Sequence, residues 1–225
     1  MSRIFGFGSA TLDFRISTAD FGDTYRDKLL ARETKLFGGG SAANTLVQAA
    51  RLSAQTSWLG KLGCDWIGNT IVSGLEEDGV DCSHAFRDAA ACSPFNVAVY
   101  AEWRRVGGYL LPNALGTLSR HEAERLASVP KPGNWCIVEI GEIPLDAVHA
   151  FCQAAVQRGV RLVIDVDLDP VRQCVGDPSL VGAILRCADV LAPNRVAFRS
   201  LYGDIGASEL VDALVAEYER SVVIT

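Results

Sequence analysis

The sequence has no apolar stretch approaching the roughly 18 residues of a membrane span. It also has no run of Lys or Arg, no C-x-x-C pair and no G-x-x-x-x-G-K-[ST] phosphate loop. Each absence removes a class of function. Without the apolar run no membrane partner is expected, and Met1-Ser2-Arg3-Ile4-Phe5 reads into a strand instead of a signal peptide, so the expected location is the cytoplasm. Lys and Arg number 21 against 27 Asp and Glu, a net charge of −6, so no basic face is available to release counterions from phosphates and no nucleic-acid partner is expected. His84, His121 and His149 each stand alone, outside the spacings of a metal site. The seven cysteines (Cys64, Cys82, Cys92, Cys136, Cys152, Cys174 and Cys187) are odd in number and scattered among apolar neighbours, which reads as reduced thiols, mostly in a core. Neither a metal centre nor a disulfide framework is expected.

What is there is a foldable chain. With 49% of its 225 residues hydrophobic and 21% charged, it buries enough surface to offset its ordering entropy. In the second half, Trp135 to Ile140 reads as a buried strand. Ala147 to Arg158 follows as a helix, with Val148, Phe151, Cys152 and Ala155 on one face, and Gly159 closes it. Val160 to Ile164, a helix around Leu180 to Leu185, the strand Asp189 to Ala192, a helix carrying Val211, Leu214, Val215 and Tyr218, and the strand Val222 to Ile224 continue the alternation. That rhythm predicts a parallel sheet with helices on both faces. In the first half, Ile4 to Ala10 reads as a strand and Ser41 to Leu52 as a helix with Ala43, Leu46, Val47 and Ala50 on one face. Phe95 to Ala101 and Tyr109 to Leu111 flank a turn signal at Arg105-Val106-Gly107-Gly108, which predicts an antiparallel hairpin. Ser119 and Glu122 form a capping box.

The strongest local signal is Gly38-Gly39-Gly40-Ser41-Ala42-Ala43-Asn44. Glycines and small residues at a helix start let the backbone approach a ligand, and the free N–H groups there donate to hydroxyls or anions. Taken with Ser53, Gly60, Gly63 to Gly68 and Leu75 to Asp81, this stretch resembles the ribokinase-like, or PfkB, family of carbohydrate kinases. Gly39, Gly40, Ala42, Asn44, Ser53 and Gly63 fit its N-terminal signature, whereas Leu46 stands where the family prefers Ser, Thr or Ala. The resemblance runs through the whole chain. It implies a three-layer, doubly wound, mostly parallel α/β domain over 1–225, with a β lid contributed by about 12–36 and 93–113.

The same resemblance implies transfer of the γ-phosphoryl group of ATP to a sugar hydroxyl, with Mg2+ and a monovalent cation as further cofactors and a homodimer joined through the lid. It places Asp13, Gly39, Gly40, Asn44 and Glu142 at the sugar. Carboxylates and amides suit hydroxyls, because between them they accept and donate. Asn96 and Tyr109 are the candidates for reaching the sugar from the lid. Asp165 and Asn194 are placed at the nucleotide and phosphates.

The phosphate side departs from the family pattern. Asp165-Val166-Asp167-Leu168-Asp169-Pro170 stands where the family often reads Asp-x-Asn-x-Arg-Pro, and Asn194-Arg195-Val196-Ala197 lacks the Glu of Asn-x-x-Glu. Like charges about 4 Å apart cost roughly 4 kcal/mol at an effective dielectric near 20, so carboxylates facing a triphosphate weaken its binding unless a cation intervenes. Asp167 and Asp169 facing solvent is the alternative. The family's catalytic base, an Asp in a Gly-Ala-Gly-Asp stretch, has no counterpart here, so the base is expected beyond Thr225 and the chain is expected to be cut short. Two other readings are weaker. Gly6-Phe7-Gly8 lacks the third glycine of a dinucleotide fingerprint, and Asp165-Val166-Asp167 lies too far along the chain for the opening nucleophile of a haloacid-dehalogenase-type phosphatase. The rivals are a non-catalytic sugar-binding protein of the same fold and a nucleoside kinase.

Overall fold

The structure, a computed structural model, describes residues 3–18, 30–101 and 103–223. The chain opens with β1 (Arg3–Phe7), β2 (Thr11–Thr18), β3 (Glu33–Gly39), α1 (Ser41–Arg51), β4 (Gln55–Leu59), β5 (Lys61–Gly63), α2 (Trp66–Glu77), β6 (Val80–Asp81) and β7 (Phe86–Asp88). Next come β8 (Phe95–Ala101), β9 (Arg104–Leu111), α3 (Arg120–Ala127), β10 (Trp135–Ile140) and α4 (Leu145–Gln157). The chain then runs through β11 (Arg161–Val166), α5 (Val181–Leu185), β12 (Val190–Pro193), α6 (Arg199–Tyr202), α7 (Ala207–Tyr218) and β13 (Ser221–Val222).

Seven strands form the central sheet in the order β13-β12-β11-β10-β1-β4-β6, and every pairing in it is parallel. Side chains along each strand alternate between two cores. Phe5, Phe7 and Leu59 face a cluster with α3 and α4, where Phe7 and Phe151 stack at 4.0 Å between ring centroids. Ile4 and Trp58 face the cluster of α1 and α2. This is the three-layer arrangement expected from the alternation of strands and helices. Leu46, the departure from the family signature, is fully buried, and Gly6 makes room for it: a Cβ there would lie 2.7 Å from Leu46 Cδ1.

The chain winds outward from β1 through β4 to β6, then returns to β10 on the other side of β1 and winds away through β13. The winding therefore reverses between β1 and β10, and the crevice at the carboxyl ends of these two strands is where such sheets bind ligands. A second sheet has the order β3-β2-β8-β9, and Asp13 on its β2 lies near enough to Glu142, just past β10, to act on it electrostatically. Residues 19–29, within the expected lid segment 12–36, lie outside the described residues.

Three local expectations are corrected. The first strand ends at Phe7 instead of Ala10, because β2 begins a different sheet at Thr11. Arg105-Val106-Gly107-Gly108 is not the hairpin turn; it belongs to β9, and the reversal falls between the paired residues Ala101 and Arg104. The glycines serve the strand, which carries an irregularity opposite Val99 and Tyr100, and at Gly108 a Cβ would meet Arg105 Nη2 at 2.7 Å. The last strand spans Ser221–Val222, and Ile224 lies outside the described residues. The capping box at Ser119 and Glu122 and the positive φ of Gly159, 74°, are as expected.

Candidate functional site

Asp13 and Asn96 meet because β2 and β8 pair them directly. Asp13 Oδ1 accepts hydrogen bonds from Asn96 Nδ2 and Thr11 Oγ1, both at 2.9 Å. Asn96 Oδ1 is buried without a partner, an acceptor open to a ligand hydroxyl. Gly39, opposite Thr11, has no room for a side chain: a Cβ would collide with the Asp13 carboxylate. Gly40 caps α1 with φ 98°, where a Cβ would strike the Ser9 carbonyl, so only glycine fits this turn into the helix.

Glu142 follows β10 across the crevice. Its Oε2 is buried with no partner, and burial, reinforced by Glu139, Asp167 and Asp13, pushes its carboxyl up to about 7. Asp13 and Glu142 thus act on one another electrostatically across the switch point. The charge repulsion among these acids leaves them receptive to hydrogen-bond donors such as hydroxyls.

A residue that the sequence reading did not single out ties the site together. Glu139 is 2% exposed. It accepts from Ser9 N at 2.7 Å, from Ser9 Oγ at 2.8 Å and from Ala42 N at 3.3 Å, while Ser9 Oγ accepts from Ser41 N at 2.9 Å. Burial pushes its carboxyl up to about 7, the Ser9 hydrogen bonds oppose that, and Asp167 and Asp165 add to it. Gly8 and Gly141 flank it, each placed where a Cβ would press on the carboxylate. The available signal was a lone Glu inside the otherwise apolar strand Trp135 to Ile140. The first amides of α1 are spent internally: Ser41 on Ser9 Oγ, Ala42 on Glu139, Ala43 on the Ser9 carbonyl.

The other predicted residues are distributed as follows. Asn44 is exposed and, with Gly39, borders a cavity of about 870 Å3 that runs between β3 and the helices α1 and α2, past Val47, Ile71 and Leu75. Asp13, Asn96 and Glu142 do not line that cavity. Tyr109 is not brought to Asn96. It pairs with Val97, so strand alternation puts it on the opposite face of the small sheet, and Leu110 shares the face of Asn96.

On the phosphate side, Asn194 accepts from Val196 N at 2.9 Å and closes a turn at the end of β12. Burial and Asp167 push Asp165 up to about 6; burial also raises Asp167, with a hydrogen bond from Ser41 opposing it. Asp169 faces neither phosphate nor solvent. It is buried, bonded by Ser200 Oγ and the amides of Val171 and Arg172, and although burial works against the charged form these hydrogen bonds hold its carboxyl below the usual range. Ala197 sits in the core at 3% exposure, so the place of the family's Glu carries no oxygen ligand. Among the described residues, no three His, Cys, Asp or Glu side chains converge to hold a metal ion by themselves. A magnesium ion arriving on nucleotide phosphates needs only one or two carboxylates, a number that Asp165 and Asp167 can supply. No described helix is long and apolar enough to cross a membrane.

Comparison with known proteins places this geometry in context. Residues 1–225 match the family described as pfkB family carbohydrate kinase. The chain is 25% identical over 202 residues to a ribokinase of Haemophilus influenzae, covering 87% of this chain and 61% of the relative. It is 21% identical over 203 residues to a ribokinase of Staphylococcus aureus, covering 90% and 64%. It therefore spans less than two thirds of the length of these curated relatives. Among solved structures, a ribokinase of Arabidopsis thaliana complexed with ribose and ATP superposes with a TM-score of 0.74 at 17% identity, covering 98% of this chain and 70% of the other.

Proposed function

The chain belongs to the pfkB family of carbohydrate kinases, and on that premise we propose that it acts as a sugar kinase, transferring a phosphoryl group from ATP to a sugar hydroxyl. The observation that carries this reading is the pairing of Asp13 with Asn96 above the β1/β10 switch point, facing Glu142. Asp13 accepts from sugar hydroxyls, Asn96 Oδ1 accepts another, and the unpartnered Glu142 Oε2 takes a third from across the crevice. Gly39 and Gly40 bring backbone against the sugar because neither position tolerates a side chain. Closure of the small sheet over the crevice excludes water from the reacting hydroxyl. Magnesium, carried by the nucleotide, neutralises the repulsion between phosphates and the Asp165 and Asp167 carboxylates.

The small sheet also supports a homodimer. Leu36 and Tyr109, 49% and 64% exposed, lie on the face of the small sheet turned away from Asp13 and Asn96, an apolar surface that a second copy covers.

A coupled assay of ADP formation by the protein carrying its natural C-terminus, across hexoses, pentoses and nucleosides, tests the reading. Turnover is expected with one sugar class and is expected to fall at least about a hundredfold in Asp13→Asn. A second reading, sugar binding without transfer, is favoured by the buried Ala197 in place of a phosphate-side Glu. Sugar binding with no sugar-stimulated ADP formation selects it.

A further inference from the structure

The face of the small sheet that holds Asp13 and Asn96 continues outward into a row of cations. In register, Phe37, Asp13, Asn96 and Leu110 form one row across the four strands, and Lys35, Arg15, Ala98 and Gly108 form the next row on the same face. Arg15 and Lys35 are therefore direct cross-strand neighbours of like charge, an arrangement that destabilises a sheet on its own. Lys35 is paired with Glu33 at 2.8 Å. Arg15 has no acidic partner among the described residues, although it is half-buried in a chain with six more acids than bases, and its Nε is buried with no acceptor. Its guanidinium lies over the Tyr100 ring, 4.1 Å from the centroid, a stacking that fixes its plane while its in-plane Nε still lacks an acceptor. From the other flank Arg105, opposite Tyr100, lays its guanidinium over Gly108. Ala98 and Gly108 keep the floor between these cations low.

We propose that this row is an anion subsite, and that the sugar recognised at Asp13 and Asn96 carries a phosphate or carboxylate at its far end. The inference rests on the sugar-site reading above. Two residues of strand separate the rows by about 7 Å, the span of a five- or six-carbon sugar between its end substituents. The two rows divide the work: Asp13 and Asn96 take hydroxyls, and Arg15, with Lys35 and Arg105 flanking it, takes the charge. The anion relieves the Arg15–Lys35 repulsion and supplies the acceptor that Arg15 Nε lacks. Near Asp13 itself an anion finds only carboxylates and α1 amides already used, so the charged group has one direction in which to lie.

Calorimetric titration of the full chain with matched ligands tests this: fructose against fructose 6-phosphate, ribose against ribose 5-phosphate, and glucose against gluconate. In at least one pair the anionic member is expected to bind about tenfold to a hundredfold tighter at low salt, and the pair that responds tells phosphate from carboxylate. Arg15→Gln should abolish that preference while leaving the neutral sugar within about twofold. Lys35→Gln should reduce the preference by a smaller factor, which keeps the test decisive if the Arg15 variant does not fold. Neutral sugars binding as tightly as their anionic partners would overturn the subsite and leave the sugar site standing. Failure of all six ligands overturns both. An Arg15→Gln variant that keeps its anion preference but loses self-association overturns the subsite and assigns Arg15 to a contact between copies.

Discussion

At the scale of single residues, Glu139 connects charge to architecture. It is an acid inside the core whose oxygens are held by Ser9 and Ala42, and it fixes the entry to α1 on which Gly39 and Gly40 depend. Glu139 and Glu142 both titrate near 7 in the fold, against 4.5 for an unperturbed Glu. The folded state thus binds more protons than the unfolded chain between those values. The stability these groups contribute is fully present below about pH 4.5 and is lost as pH rises toward 7. The lowered carboxylates Asp65, Asp81, Glu122 and Asp169 act the other way, losing their contribution only as pH falls below about 4. Urea unfolding is expected to give a stability roughly 4 kcal/mol lower at pH 7.5 than at pH 5.5 if both groups act in full. Glu139→Gln, which keeps an acceptor for Ser9 and Ala42, should reduce that slope by about half, the remainder belonging to Glu142. Gly40→Ala should cost about 2 kcal/mol or more in the same measurement, because φ 98° and the Ser9 carbonyl both exclude a methyl group.

At the scale of elements, α3 and the small sheet show what sequence can and cannot specify. The box Ser119-x-x-Glu122 is local chemistry, so it was legible, and it forms with Ser119 N donating to Glu122 Oε2 at 2.8 Å and Glu122 N donating to Ser119 Oγ at 3.3 Å. Ser119→Ala should lower stability by about 1 kcal/mol in thermal or urea unfolding, without altering ligand affinity. The β8–β9 hairpin was legible as a hairpin, but its turn was not. Gly107-Gly108 carries the usual turn signal, yet both glycines lie inside β9, where Gly108 makes room for Arg105. A three-residue or four-residue turn and an irregular strand draw on the same residue types, and only the partner strand decides between them. Asn96 and Tyr109 were both read as lid candidates, and only the register separates them, Tyr109 pairing with Val97 and Leu110 with Asn96. Which face a side chain takes depends on register, and a shift of one residue inverts it.

At the scale of the whole molecule, the alternation of strands and helices was enough to predict the parallel sheet. The switch point was not legible, because strand order depends on which side of β1 the chain returns to. Asp13, Gly39, Gly40 and Glu142 were named through their resemblance to a family pattern, whereas the bonds of Glu139 and the pairing of Arg15 with Lys35 come only from contacts distant in sequence. The layers also depend on the stack of Phe7 on Phe151, which joins β1 to α4. Phe151→Ala should cost about 3 to 5 kcal/mol in urea unfolding, a large share of the stability of a domain this size.

The central claim is that a sugar is held by Asp13 and Asn96 over the β1/β10 crevice. Calorimetric titration of the wild type and Asp13→Asn with the best-binding sugar tests it most directly, with the unfolding midpoint of each protein measured alongside. The account predicts an affinity about tenfold to a hundredfold weaker in Asp13→Asn, the worth of a hydrogen bond to a charged group, with the midpoint changed by no more than a few degrees. An affinity unchanged by the substitution in a normally folded variant would contradict it.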